Sequence, residues 1–319
     1  MGIWAMNDKP PVQALSATRG NSVGIGFFCL LLKWGGINRA CEFVWFIALF
    51  YVVFDRKARC SAMPYLRHRF PDAGFFRLWC CAYRLMVSQG QSLLEAAAVN
   101  MGLEYSISSE NDAGLRELIN KSGRGFILLI SHFGPWQASM STILNYGRNV
   151  TVLVQHDQNV NVDKMMAVKK SGPSINTVFT DDLTGGILDA MSAIGRGDIV
   201  CMMGDRCREK DGILIDFLGE PARFPVAAFY LASKCACPIV PMFVFRNLRH
   251  DSLLFHFGKT LHTEYHGQGR IHRESLNSSA AAYVAELEAA SGRFPFQCYI
   301  FEDVWGGNQA NRSQSHPSG

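Results

Sequence analysis

From residue 126 onward, short apolar runs alternate with longer segments of helical character. The continuous apolar runs 126–130 and 199–203 are typical of strands that are buried on both faces. Similar runs predict strands over 150–155, 175–179, 213–217, 239–245 and 253–257, and helices over 135–144, 183–194, 224–236 and 280–290. Strands that alternate with helices favour an α/β fold, in which helices flank a mainly parallel central sheet.

The first hundred residues lack this alternation and carry two apolar stretches, 23–32 and 43–54. Lys33, Arg39 and Glu42 separate them, and the second is shorter than the ~20 residues that span a bilayer. A basic segment follows, with Arg56, Lys57, Arg59, Arg67, Arg69, Arg77 and Arg84. This combination favours a helix lying in an anionic membrane interface. A buried core helix with a solvated basic face and a single membrane span are the alternatives.

These patterns divide the chain into four parts. We expect a polar segment over 1–22, a membrane-associating helical region over 23–100, an α/β domain over 101–305 that is continuous with that region, and a disordered tail over 306–319. The first apolar stretch has no small-residue cleavage site after it, so we do not expect a secretory signal. Met6 does not fit the myristoylation pattern.

Composition narrows the possible partners. A hydrophobic content of 48% with 18% charged residues excludes a disordered chain. The net charge of +4, without a basic stripe between aromatic residues, argues against nucleic acid. The ten cysteines fit no zinc spacing and lie mostly among apolar neighbours, which predicts reduced thiols, a cytosol-facing location and neither a metal nor a cofactor.

Polar side chains follow three of the predicted strands. They are His132, the segment 155–157 (Gln-His-Asp) and the pair Asp205-Arg206. The carboxyl ends of parallel strands meet at one edge of a sheet, where ligands bind, so we expect the three sets to converge. A histidine at that edge can exchange a proton near neutral pH. The alternative is that His132 only caps or packs at the junction between strand and helix.

Several sequence blocks carry a family resemblance. They are His132-Phe-Gly-Pro-Trp-Gln137, Gly90-Gln-Ser-Leu-Leu-Glu95, Asp205-Arg206, the block 212–222 (GILIDFLGEPA), the block 231–241 (LASKCACPIVP) and the segment from Phe294 to Trp305. Taken in this order, they resemble the lysophospholipid acyltransferase superfamily, and within it the bacterial lipid A biosynthesis (lauroyl/myristoyl) acyltransferase branch. The likeness extends over residues 22–305.

The resemblance implies an enzyme on the cytoplasmic face of the cell inner membrane. It would move a fatty acyl chain from a thioester of acyl carrier protein or coenzyme A to a hydroxyl group of a lipid or glycolipid. His132 would be the general base. Backbone N–H groups between Gly134 and Trp136 would face the developing oxyanion, and Gly134 would permit a close approach.

The resemblance also implies a substrate-binding group. Asp205 and Arg206, or the pair Lys169-Lys170, would lie against the donor or acceptor, and their cations would hold a phosphate. For Arg206 the alternative is a structural ion pair with Asp205 or another neighbour. For the two lysines the alternative is a solvated surface.

One position departs from the family pattern. In the family motif four residues separate the histidine from an Asp or Glu, and at that position this chain has the neutral Gln137. Three hypotheses follow: Gln137 orients His132 through its amide oxygen, which is our first choice; a carboxylate from another strand end, Asp157 or Asp205, replaces the acid; or the chain is an inactive relative that only binds lipid at a membrane.

Two further functions fit less well. A serine hydrolase would need a G-x-S-x-G elbow, and the sequence has none. A thiol nucleophile at Cys201 or Cys207 would need a histidine partner, and none adjoins either residue in the sequence.

Overall fold

The structure is a computed structural model that describes residues 22–103, 105–121, 123–154, 173–179, 183–207, 212–263 and 273–306. Within these ranges the helices are α1 (Ser22–Phe54), α2 (Arg56–Arg69), α3 (Phe75–Asn100), α4 (Ala113–Lys121), α5 (Trp136–Ile143), α6 (Leu183–Arg196), α7 (Ala227–Cys235) and α8 (Arg273–Arg293). The strands are β1 (Ser106–Glu110), β2 (Phe126–Ile130), β3 (Val150–Val154), β4 (Ile175–Phe179), β5 (Ile199–Met203), β6 (Ile213–Phe217), β7 (Glu220–Phe224), β8 (Ile239–Arg246) and β9 (Ser252–Phe257).

Seven strands form one mixed, mostly parallel sheet in the order β1-β9-β8-β2-β5-β3-β4. The pairing is antiparallel only between β8 and β9, while β6 and β7 form a separate hairpin. Strand β2 lies between β8 and β5 and is parallel to both. The predicted α/β fold is therefore confirmed, and β2 occupies the middle of the sheet.

Helices cover both faces of the sheet, which explains the unbroken apolar sequence of β2. Phe126, Leu128 and Ile130 face the core beneath α4 and α5. Ile127 and Leu129 face the larger core on the other side, which α2, α6, α7 and α8 also line. Each residue of β2 is thus buried whichever way it points.

The N-terminal region is a pair of antiparallel helices. The Gln91 amide of α3 donates to the carbonyl oxygen of Cys41 in α1 at 3.3 Å, and the Tyr83 hydroxyl donates to that of Trp45 at 2.9 Å. The helices approach closely at Gly90, where a Cβ would lie 2.7 Å from Val44 Cγ1. This close packing fixes α1 against α3.

The two apolar stretches belong to one helix in the structure. Lys33, Arg39 and Glu42 lie within α1, because these side chains are compatible with a helix. The helix is interrupted at Gly36, whose φ is 73°. The part of α1 over Leu30–Phe54 has 25 residues and is long and apolar enough to cross a membrane.

Three elements were missing from the sequence-based prediction. Strand β1 lies at the edge of the sheet and is mostly exposed, so it has no apolar run. Strand β7 ends at Phe224, the first residue of the expected 224–236 helix, and the helix itself begins only at Ala227. Helix α4 is short and amphipathic, and it packs against the sheet. The segments 1–21 and 307–319 lie outside the described residues, and the domain boundaries stay a prediction.

Candidate active site

Parallel pairing of β2 with β5 brings two residues 73 positions apart into contact. His132 follows β2 and Asp205 follows β5, both at the carboxyl edge of the sheet. The Nδ1 atom of His132 lies 3.0 Å from Asp205 Oδ1 and 3.1 Å from Oδ2. The backbone N–H of His132 also donates to Oδ2 at 2.9 Å. Asp205 therefore holds both the backbone and the ring of His132.

Asp205 is ionised despite its burial. Its side chain is 1% exposed. Burial by itself would raise the pKa of this carboxyl group, but interaction with His132, hydrogen bonds from it and the Arg206 charge together lower the pKa. A carboxylate only accepts hydrogen bonds, so His132 Nδ1 carries the proton and donates it. The lone pair of the neutral ring is consequently on Nε2.

The His132 ring is positioned to act as a base. Desolvation lowers the pKa of His132, and the positive charge of Arg206 lowers it further, although Asp205 acts in the opposite direction. The ring is therefore neutral at pH 7. Its side chain remains 23% exposed, so another molecule can reach it. The Trp136 ring packs edge-on against it, with centroids 5.8 Å apart.

Gly134 has a structural role that differs from the expected one. Its φ is 52°, and a Cβ at this position would lie 2.0 Å from the carbonyl oxygen of Val244 in β8. Its N–H donates to the carbonyl oxygen of Gln297 at 2.8 Å and is therefore not available to an oxyanion. The close approach that glycine permits here is to β8 rather than to a substrate.

The first turn of α5 offers the remaining backbone donors. Pro135 precedes the helix as its N-cap and has no N–H. The next two N–H groups, of Trp136 and Gln137, begin the helix and have no carbonyl partner four residues earlier within it. They lie at the positive end of α5, close in sequence to His132.

Gln137 is not the residue that pairs with His132 in this structure. Both residues are described, and among the described residues the hydrogen bonds of the His132 ring go to Asp205 rather than to the Gln137 amide. The physical reason is that Gln137 belongs to α5, whereas His132 lies in the loop before it. The geometry supports the second hypothesis for the missing acid, a carboxylate from another strand end.

Arg206 is bound to the protein backbone. Its Nη2 donates to the carbonyl oxygen of Tyr299 at 2.7 Å, which matches the alternative of a structural partner. Tyr299 in turn donates its backbone N–H to the carbonyl oxygen of His132 at 2.8 Å. Tyr299 therefore links the strand ends that carry His132 and Arg206.

The Tyr299 side chain is anchored by residues that the sequence did not single out. Its hydroxyl lies 2.9 Å from Ser88 Oγ and 2.7 Å from Ser92 Oγ in α3. Arg246, at the end of β8, donates to Ser88 Oγ at 2.8 Å and exchanges two hydrogen bonds with the Gln297 side chain. The only sequence signal was that these residues lie in or near blocks of the family resemblance.

The remaining predicted site residues divide into two groups. The segment 155–157, Lys169 and Lys170 lie outside the described residues, so the structure tests neither the third strand end nor the lysine pair. Cys201 is fully buried in β5, and burial raises the pKa of its thiol to about 12. A thiol in that state is a poor nucleophile, which argues against the thiol mechanism at Cys201.

Comparison with known proteins identifies the family. No curated protein matches the chain. The family model described as bacterial lipid A biosynthesis acyltransferase matches residues 25–289. The match begins within α1 and includes the central sheet and both residues of the His132–Asp205 pair. The chain belongs to the bacterial lipid A biosynthesis acyltransferase family.

Proposed function

We propose that this protein is a membrane-associated O-acyltransferase. It moves a fatty acyl chain from a thioester, carried by acyl carrier protein or coenzyme A, to a hydroxyl group of a lipid or glycolipid. The observation that carries the proposal is the His132–Asp205 pair. The pair leaves a neutral, partly exposed imidazole at the carboxyl edge of the sheet, and its Nε2, which carries the lone pair, has no hydrogen bond to a described residue.

The proposed reaction needs only this pair and two substrates. His132 Nε2 takes the proton of the acceptor hydroxyl while its oxygen forms a bond to the thioester carbonyl carbon. The tetrahedral intermediate then expels the thiolate, which takes the proton from the imidazolium, and an ester and a free thiol result. Asp205 stabilises the imidazolium while it exists, since it is ionised and in contact with Nδ1.

Backbone donors complete the proposed site. The N–H groups of Trp136 and Gln137, at the start of α5, are suited to the oxyanion that develops on the thioester carbonyl. Gln137 thus has a backbone role in the proposal, while its side chain has none. Lys169, Lys170 and the part of Arg206 not bound to Tyr299 remain proposed phosphate-binding groups.

The proposed location is the cytoplasmic face of the inner membrane. The long apolar helix α1 supports membrane anchoring. The described cysteines, among them Cys41, Cys81 and Cys298, are free thiols, which is consistent with a reducing compartment. An acyl thioester donor is made on the cytosolic side of a membrane, where this face would meet it.

The decisive experiment compares lipid extracts by mass spectrometry from cells that have the wild-type protein, His132→Ala, Gln137→Glu or no protein. We expect His132→Ala to abolish acyl transfer, because no other described group at this edge replaces the Nε2 base. We expect Gln137→Glu to keep substantial activity. The lipid that loses one acyl group identifies the acceptor. Equal acylation by folded His132→Ala protein would refute the base, and acylation in none of the strains would favour the inactive relative.

A further inference from the structure

The side of α1 that points away from the protein is a stripe of phenylalanines. Phe43, Phe46, Phe50 and Phe54 follow one another at spacings of three, four and four positions, which places them on one side of a helix. All four are exposed. Ring centroids are 6.2 Å apart between Phe43 and Phe46 and 5.0 Å apart between Phe50 and Phe54. The stripe is therefore a continuous apolar surface.

The opposite side of α1 is held by the protein along its length. Cys41, Val44, Ala48 and Val52 are buried in the cluster that α1 shares with α3. Helix α3 is in turn attached to the catalytic domain through the hydrogen bonds of Ser88 and Ser92 to Tyr299. The axis of α1 after Gly36 therefore runs along the surface of the domain.

This attachment argues against a membrane crossing by residues 37–54. If this part of α1 crossed the bilayer, α3 would have to enter it as well, because the two helices are packed side by side. Helix α3 carries the exposed cations Arg77 and Arg84, and charged side chains are costly within hydrocarbon. An orientation in the membrane plane keeps these cations near the headgroups.

A second apolar point lies at the start of α3. Phe75 and Phe76 are 86% and 78% exposed. Because α1 and α3 are antiparallel, this point is at the same end of the helix pair as Phe54. Exposed cations lie close to both in sequence, namely Arg56 and Lys57 after α1, and Arg77 after Phe76. Aromatic side chains flanked by cations fit an anionic lipid surface.

We propose that the phenylalanine stripe of α1 and the Phe75-Phe76 pair form one docking face that lies in the plane of an anionic bilayer. The partner is the phospholipid surface itself, into which the rings insert while Arg56, Lys57 and Arg77 contact the headgroup phosphates. The proposal rests on the proposed function in one respect, since a lipid acceptor must reach His132 from that surface. It assigns α1 after Gly36 to the interface and not to a span.

Depth measurements test the orientation. Spin labels are attached to the full chain in anionic vesicles at Phe43→Cys or Phe54→Cys, in a background where Cys29, Cys60, Cys80 and Cys207 are serine. The two positions are 11 residues, or about 16 Å, apart along a helix. We expect equal depths at both labels and no lipid contact for a control label at Leu188→Cys on α6. A depth difference approaching 16 Å would overturn the proposal in favour of a crossing helix.

Vesicle flotation tests the second apolar point. The variant Phe75→Ser/Phe76→Ser should bind vesicles containing phosphatidylglycerol at least tenfold more weakly than the wild type. The control Leu188→Ser removes a similarly exposed apolar side chain from α6 and should bind as the wild type does. Undiminished binding of the double variant, or equal binding to purely zwitterionic vesicles by the wild type, would contradict the proposed face.

The two proposals fail separately. We expect the double variant to acylate a detergent-dispersed acceptor as fast as the wild type, because Phe75 and Phe76 lie outside the His132 site. Absence of transfer by the wild type in detergent would count against the proposed function and leave the depth measurement valid. Loss of transfer in detergent by the double variant alone would contradict the assignment of these residues to docking.

Discussion

At the scale of single residues, the site depends on how a buried carboxylate is compensated. Asp205 is almost fully buried, and an unpaired charge there would be strongly destabilising. The negative charge of Asp205 is compensated by two hydrogen bonds, from the backbone N–H and the Nδ1–H of His132, and by the nearby Arg206 cation. The same contacts fix the His132 tautomer. They therefore both stabilise the Asp205 carboxylate and leave the lone pair of the His132 ring on Nε2.

Asp205→Asn should change both the rate and its pH dependence. We expect kcat to fall by about 10²–10⁴, because an amide can stabilise the wrong tautomer and not the imidazolium. Asp205 raises the pKa of His132, so its removal lowers that pKa further. The acidic limb of kcat/KM, which lies below the ordinary histidine value in the wild type, should therefore move to lower pH. The measurement is kcat/KM from pH 4.5 to 8.

Gln137→Ala is the matched control for this prediction. It removes the side chain that the family motif would place beside His132, yet it should leave the acidic limb in place. A limb that moves with Gln137→Ala and stays fixed with Asp205→Asn would restore Gln137 as the partner of His132.

At the scale of elements, the junction between β2 and α5 must pass close beneath β8. A left-handed backbone at Gly134 and its N–H bond to Gln297 hold the loop in place. Space for this turn exists only because residue 134 has no Cβ. The junction thereby directs His132 toward β5 and starts α5 at Trp136, so that the N–H groups of Trp136 and Gln137 have no carbonyl partner four residues earlier within the helix.

Gly134→Ala should destabilise the protein much more than Gly147→Ala. Both glycines have a positive φ, of 52° and 80° respectively, so each substitution costs about 1–2 kcal/mol in backbone conformation. At Gly147 no described residue lies within 4 Å of the new Cβ, whereas at Gly134 the carbonyl oxygen of Val244 lies 2.0 Å from it. Thermal melting in detergent should show a clearly larger loss for Gly134→Ala. Equal losses would mean that the loop moves freely away from β8.

At the scale of the whole molecule, one chain of contacts connects the N-terminal helices with the site. Helix α1 packs on α3, α3 holds the Tyr299 hydroxyl, and the Tyr299 backbone holds His132 and Arg206. Each link is buried or partly buried. The position of His132, the proposed base, is thus set partly by the helix layer that carries the proposed docking face.

Tyr299→Phe should lower kcat by roughly tenfold with little change in KM, because a small displacement of the base slows proton transfer more than it weakens binding. Tyr65→Phe is the control. It removes a buried hydroxyl whose hydrogen bond goes to the carbonyl oxygen of Pro295 at 2.8 Å. Both variants should lose about 1–3 kcal/mol of stability. Equal kcat values for the two variants would mean that Tyr299 has only a structural role.

The sequence by itself determined the central strands and the place of His132. Runs such as 126–130 are apolar at every position because both faces of the sheet are covered, so local pattern and final burial agree. Where the burial of an element in the fold differs from what its local apolar pattern indicates, the prediction from the sequence failed. The exposed edge strand β1 was missed, and the bend of α1 at Gly36 was not predicted.

Only the tertiary structure decided which side chain contacts the His132 ring. Gln137 is near His132 along the chain, and Asp205 is 73 residues away, so local spacing favoured Gln137. In the sheet β5 lies next to β2 and is parallel to it, so the carboxyl ends of the two strands are at the same edge. Asp205 and His132, which follow these strands, are thereby brought together. Hydrogen bonds act over about 3 Å in space, and distance along the chain does not measure that separation.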